Sequence, residues 1–115
     1  DAKVLVMGAT FKEDVSDIRN SKIIDIVNEL KSFQVKVDLV DPHASSNEME
    51  HEYGIPLAAS VGQDYDAVIV AVNHAEYLKL DEAYFQSLLK DKKGVFVDVK
   101  GIYKDKMNEL EYWSL

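Results

Sequence analysis

The sequence contains no cysteine, so the chain can form no disulfide, present no thiolate to a metal and offer no sulfur nucleophile. About compartment that absence is neutral. No apolar run approaches the roughly 20 residues that span a bilayer, and no basic segment leads into an apolar stretch of the signal-peptide type. The expectation is therefore a cytoplasmic protein without a membrane. The three-glycine dinucleotide fingerprint is also missing: Gly8 stands alone, and Ala9 and Phe11 do not supply the rest, so a pyrophosphate is not held in the usual way. Positive charge is scarce, with 13 Lys and Arg against 21 Asp and Glu and a net charge of −8. That balance repels nucleic acid and anionic membranes at long range, while leaving room for a small anion held by a few local cations. The three histidines, His43, His51 and His74, are scattered; no spacing suggests a metal site.

What is present is a chain of 115 residues, 47% hydrophobic, enough for one domain with a real core. It begins at Asp1 rather than Met, almost directly in a strand, and reads as a piece of a longer protein. Lys3–Met7 is a continuous apolar run, the pattern of a strand covered on both faces. From Ser21 to Phe33, Ile23, Ile24, Val27 and Leu30 recur at helical spacing, with Ser21 as the expected N-cap. Val35–Val40 predicts a strand ended by Asp41-Pro42. Residues 44–53 predict a polar helix with Met49 and Tyr53 as its apolar pair and Gly54 as its stop. Ile55–Ala59, which contains Pro56, predicts a short edge strand. Ala67–Val72 is the clearest core strand. Asp81 is the expected cap of a helix through Lys90, burying Tyr84 or Phe85 with Leu88 and Leu89. Gly94–Val99 is the last strong strand, and Leu110–Trp113 adds a short terminal element.

Strand–helix alternation with short connections implies parallel strands and right-handed crossovers. The expected fold is a single α/β domain, a three-layer α/β/α, Rossmann-like arrangement of about five mostly parallel strands. The order 3-2-1-4-5 is anticipated. In such sheets ligands bind beyond the carboxyl ends of the strands. That rim carries Gly8–Arg19, Asp41-Pro42-His43, Asn73-His74 and Asp98–Gly101, and its cations are Lys12, Arg19 and Lys100. Arg19 is the sole arginine and, with Lys12 and Lys22, lies in the connection between the first strand and the first helix, where α/β domains hold phosphates. If the first and last strong strands lie two positions apart, about 10 Å at ~4.8 Å per step, Lys12 and Lys100 can converge on a diphosphate.

Each of these residues also has a plainer role open to it. Lys12 and Lys100 can be solvated loop lysines, and Arg19 can pair with Asp14 or Asp17 to stiffen the loop. Asp41 occupies the position of the acid that binds a ribose in dinucleotide folds, but Asp-Pro after a strand also makes a turn. His51, on a polar helix, reads as solvated, and Tyr77, Tyr112 and Trp113 read as packing residues.

The run Val4-Leu5-Val6-Met7-Gly8-Ala9-Thr10-Phe11-Lys12-Glu13-Asp14, followed by Asp17-Ile18-Arg19-Asn20-Ser21, resembles the opening of the C-terminal domain of the UDP-glucose/GDP-mannose dehydrogenase family. The likeness continues through Val40-Asp41-Pro42, Ala67–Val72, Val97-Asp98-Val99-Lys100-Gly101 and Tyr112-Trp113-Ser114-Leu115, so it covers essentially the whole chain. The resemblance implies a larger enzyme: an N-terminal NAD-binding domain, a central dimerisation domain with the catalytic cysteine, and this UDP-sugar-binding domain. Such enzymes oxidise the sugar C6 alcohol to a carboxylate in two NAD-dependent steps and work as homodimers or larger assemblies. It further implies substrate contact for Phe11 and Lys12, cofactor contact for Arg19 across the cleft to the NAD domain, and substrate contact for Lys100. Arginine is common at that last position in UDP-glucose enzymes; lysine keeps the charge and loses the bidentate fork. Gly8, Thr10, Asp17 and Ser21 would support the loop, and no catalytic residue or metal belongs to this chain. The D-V-K-G segment and the Y-W-S-L ending look more like the branch acting on UDP-N-acetylhexosamines.

The competing class is a non-catalytic module, either an acidic doubly wound signalling domain or a free-standing nucleotide-binding domain. A phospho-receiver needs an acidic pair after the first strand and an aspartate after the third, where Met7-Gly8-Ala9 and Ala59-Ser60 stand instead.

Overall fold

The computed structural model describes residues 2–10, 14, 16, 18 and 22–114. Strands β1 (Lys3–Met7), β2 (Lys36–Val40), β3 (Ala67–Val70), β4 (Val95–Asp98) and β5 (Glu111–Ser114) make one sheet in the order β2-β1-β3-β4-β5. Every neighbouring pair is parallel. β1 lies inside the sheet between β2 and β3 and is apolar on both faces. Leu5 and Met7 enter one core cluster, Val4 and Val6 the other. Helices α1 (Ile23–Ser32) and α2 (Ser46–Tyr53) send Ile23, Ile24, Val27 and Met49 into the second cluster. A 3₁₀ helix (Ala75–Lys79) and α3 (Glu82–Leu88) send Tyr77, Phe85 and Leu88 into the first. The three-layer α/β/α reading holds. No helix among the described residues is long and apolar enough to cross a membrane.

Local chemistry explains the element ends. The Asp81 carboxylate accepts the Tyr84 N–H (2.9 Å) at the start of α3, and Ser45 does the same for Glu48 in α2 (3.3 Å). Gly54 ends α2 in the left-handed conformation at φ 70°, donating to Glu50 O. The cap of α1 is Lys22, without a side-chain hydrogen bond; Ser21, the expected cap, lies outside the described residues.

Ile55–Ala59 is not a strand. Pro56 has no N–H to give, and the contact with β2 is the single bond from Ala58 N to Leu39 O (2.8 Å), while Ile55 is buried in the core. β2 is therefore the edge, and the expected order 3-2-1-4-5 gives way to one in which the C-terminal segment fills the fifth place at the opposite edge. Glu82 anchors that segment: its Oε2 accepts the backbone N–H groups of Asn108, Glu109 and Leu110 at 2.7, 2.8 and 3.1 Å. Burial opposes the charge on Glu82, yet the three amides hold its carboxyl below the usual range. Alternation along β5 then stacks Tyr112 on Phe96 and turns Trp113, in register with Val97, to the outer face. Trp113 is 58% exposed, which corrects its expected packing role.

Two expectations follow from the packing. Gly8 has φ 111°, and a Cβ there would lie 2.7–2.8 Å from Val72 Cβ, Cγ2 and N. Gly8→Ala should cost about 2 kcal/mol or more, read as a lower urea midpoint with unchanged slope. Burial, and then the bond to Asp38, push the Tyr65 phenol up to about 12; burial also raises Tyr77 and Tyr103. Because the folded state holds these protons more tightly, their contribution is complete below the ordinary value of 10. It is lost as pH climbs from there towards 12. The urea midpoint should stay level up to about pH 10 and decline above it; a midpoint still level at about pH 12 would contradict this burial.

Candidate functional site

The parallel arrangement brings the carboxyl ends of β1 to β4 to one rim, and a single side chain organises it. Asp41, directly after β2, has no exposed side-chain surface. Its Oδ2 accepts the N–H groups of Ala9 (2.6 Å) and Thr10 (3.2 Å) and faces His74 Nε2 at 2.9 Å. Its Oδ1 accepts the N–H groups of His43 (2.7 Å) and Ala44 (3.1 Å). The Gly8 N–H is bonded to Val40 O (2.8 Å). The amides just after β1, which cradle a phosphate in dinucleotide folds, are thus already filled by a protein carboxylate. Asp41 is fully engaged and unavailable to a ribose. These residues do not fit a bound NAD pyrophosphate.

A second buried carboxylate repeats the device at β4. Asp98 accepts the N–H groups of Ile102 (3.1 Å) and Tyr103 (2.8 Å) and the Tyr112 hydroxyl (2.6 Å). Gly101 adopts φ 72° in the turn so formed, and Lys100 sits on that turn, exposed. Beside it lies a cleft of about 300 Å³ lined by Thr10, Lys22, Ile23, Ile26, Ala71, Val72, Val99 and Lys100. Neither Lys22 nor Lys100 has an ion-pair partner among the described residues. Two ammonium groups on an otherwise mainly apolar cleft suit an anion attached to a larger body. β1 and β4 lie two positions apart with β3 between them, as anticipated.

The larger cleft, about 530 Å³, lies at the amino ends of the strands and is lined by Lys3, Lys31, Lys36 and Lys90. Lys3 there is held by Gln63 O and the Tyr65 ring, and Lys90 pairs with Asp66. It lies at the sheet end opposite to where open parallel sheets bind ligands.

On the other side of the rim the fold gathers residues that sequence spacing left apart. Asp14 Oδ1, His43 Nε2 and His74 Nδ1 lie within 4.8 Å of one another. Both ring nitrogens of His74 are committed: Nδ1 accepts the Asp14 N–H (2.8 Å), so the proton is on Nε2, which faces Asp41 and Thr10. A metal ion would have to displace the Asp14 amide. His43 Nε2 bonds Glu76 Oε1 at 3.0 Å. The Glu76 carboxyl is held below its usual range by its own backbone N–H and then by His43.

Of the residues singled out from the sequence, Gly8, Thr10 and Lys100 come together on this rim. Gly8 packs against Val72, and the Thr10 N–H is accepted by Asp41. Phe11, Lys12, Asp17, Arg19 and Ser21 lie outside the described residues. Lys22 joins Lys100 on the cleft, and its place in the cationic connection was the signal for it. His74, buried and doubly bonded, was missed as a site residue; its one sequence signal was its position directly beyond a core strand. His51 is exposed, as expected.

The sequence and the fold both have known relatives. The family pattern described as UDP-glucose/GDP-mannose dehydrogenase family, UDP binding domain, matches residues 5–105. A UDP-N-acetyl-D-glucosamine 6-dehydrogenase of Salmonella typhi is 42% identical over 100 residues, which is 86% of this chain and 23% of that protein. An enzyme of the same name from Pseudomonas aeruginosa is 38% identical over 110 residues, 95% of this chain and 26% of its own length. The solved structure of a UDP-N-acetyl-mannosamine dehydrogenase from S. aureus superimposes with a TM-score of 0.76 at 27% identity, covering 99% of this chain and 26% of that one. The chain spans about a quarter of the length of these relatives.

Asp41→Asn retains the volume but sets an NH₂ group against N–H donors. It should cost about 3 kcal/mol or more, measured as a lowered urea midpoint. A change below about 1 kcal/mol would show that the carboxylate does not organise the rim.

Proposed function

We propose that this chain, which belongs to the UDP-glucose/GDP-mannose dehydrogenase family, is the UDP-sugar-binding domain of an NAD-dependent enzyme that oxidises a sugar C6 alcohol to a carboxylate. The observation that carries the reading is the family match over residues 5–105, joined to a lysine-flanked cleft at the carboxyl rim of the sheet. The names of the relatives at 42% and 38% identity favour a UDP-N-acetylhexosamine as substrate. The intact enzyme works in the cytoplasm as a homodimer or larger assembly.

The domain's contribution is positioning. Lys12 and Lys100 neutralise the diphosphate, Phe11 packs on the substrate, and the charged contacts fix the sugar C6 against reactive groups on other domains. NAD, when bound to those domains, accepts hydride; here the amides after β1 are occupied by Asp41, and Arg19 reaches the cofactor across the cleft. With no cysteine in its sequence, the domain supplies no thiol nucleophile. Phosphate contact by lysine is a point-charge interaction, suited to an exposed cleft where geometry is completed by a facing domain.

Lys12→Ala in the intact enzyme should raise the UDP-sugar KM roughly 10-fold or more, since a charged hydrogen bond is worth about 1.5–3 kcal/mol. Unchanged steady-state kinetics would remove Lys12 from the site. The 115-residue chain assayed alone with NAD and UDP-N-acetylglucosamine should form no NADH; NADH formation would overturn the division of labour between domains.

A further inference from the structure

We infer that the cleft between the end of β2 and the 3₁₀ helix is a further ligand site, one for an uncharged nucleoside. The cleft has a volume of about 320 Å³ and shares no lining residue with the cleft of Lys22 and Lys100. Val40 and Pro42 reach it from β2 and the turn that follows, Leu80 and Tyr84 from the end of the 3₁₀ helix and from α3. Small-molecule sites run from roughly 300 to 1,000 Å³, so a cleft at the lower limit suits one base with its ribose better than a nucleotide sugar.

Tyr77 is the residue that points to a ligand. It lines the cleft, is only 4% exposed, and its buried hydroxyl has no hydrogen-bond partner among the described residues. Neighbouring tyrosines of the same core are satisfied: Tyr65 donates to Asp38 Oδ2 at 2.6 Å, and Tyr103 donates to Tyr77 O. Buried polar groups are nearly always paired, and an orphan donor is costly to the fold. Burial, and then the charge of Asp41, hold the proton on the Tyr77 oxygen, so what it can offer is a donor. A ring nitrogen or carbonyl of a base can accept it, while Pro42 and Tyr84 present flat apolar surface to the base. Glu76 borders the same cleft. A carboxylate accepts about four hydrogen bonds, so beside its bond to His43 Glu76 has room for a ribose hydroxyl. Asp41 also lines the cleft, but the bonds to Ala9, Thr10, His43 and Ala44 engage it fully. Among the described residues no lysine or arginine lines the cleft, and with two carboxylates present a phosphate is disfavoured.

The test uses the intact enzyme saturated with NADH and UDP, so that adenosine followed by isothermal titration reports a site beyond those two. Adenosine should bind with a Kd of about 1 mM or tighter. Tyr77→Phe should raise that Kd about tenfold with Tm unchanged or higher, because the variant removes an unpaired donor. Ala59→Trp, at an exposed position on the cleft, should abolish binding by filling the space. AMP should bind at least about fivefold more weakly than adenosine. No adenosine binding overturns the inference, as does binding that survives either variant or AMP binding as tight as adenosine. A lowered Tm in Tyr77→Phe would show that the hydroxyl is already partnered and overturns it too. The inference stands apart from the functional reading above: an enzyme that oxidises no UDP-sugar sinks that reading, while the adenosine titration still decides this one.

Discussion

The rim of this domain depends on one buried carboxylate set among amide donors. Asp41 gathers the N–H groups of Ala9, Thr10, His43 and Ala44 and the His74 ring. Removing a carboxylate from water is costly, and only a full set of donors makes it tolerable. The arrangement has a chemical consequence. The Ala9 and Thr10 amides already hold a carboxylate and are not open to a ligand phosphate. Lys22 and Lys100 border the rim cleft beside Thr10. At Gly8 the close neighbour is Val72, which packs against it.

Asp98 shows that the device is general in this fold. Both aspartates lie where a strand meets its following turn, both are buried, and both accept main-chain N–H groups from the turn. Each ties its turn to the end of the strand behind it. Binding groups are then carried on loops whose register is set by strands, which is how a parallel sheet turns backbone order into a site. Glu82 applies the same chemistry away from the rim, collecting three amides to lay β5 against β4.

Much of the architecture was legible because it rests on local pattern. The apolar runs of β1, β3 and β4, the Asp81 cap and the Gly54 stop depend on residues within a few positions of one another. The errors fell where distant residues decide. Ile55–Ala59 has strand-like composition, but Pro56 and a single bond to Leu39 leave it unpaired. Trp113 has the composition of a core residue, yet the register of β5 gives the inner face to Tyr112 and the outer to Trp113.

The sequence by itself determined the fold class, the absence of a thiol and of a glycine fingerprint, the cationic first connection and the family likeness, since all of these are written in adjacent residues. Only the tertiary structure decided that Asp41 is an internal anion rather than a ribose ligand or a simple turn. It also placed Lys22 with Lys100 on one cleft and set His74 between Thr10 and Asp14. The reason is separation along the chain. Residues 32, 60 or 64 positions apart meet only because parallel strands bring their carboxyl ends to one edge, and no local periodicity encodes which polar groups will then lie within hydrogen-bonding reach.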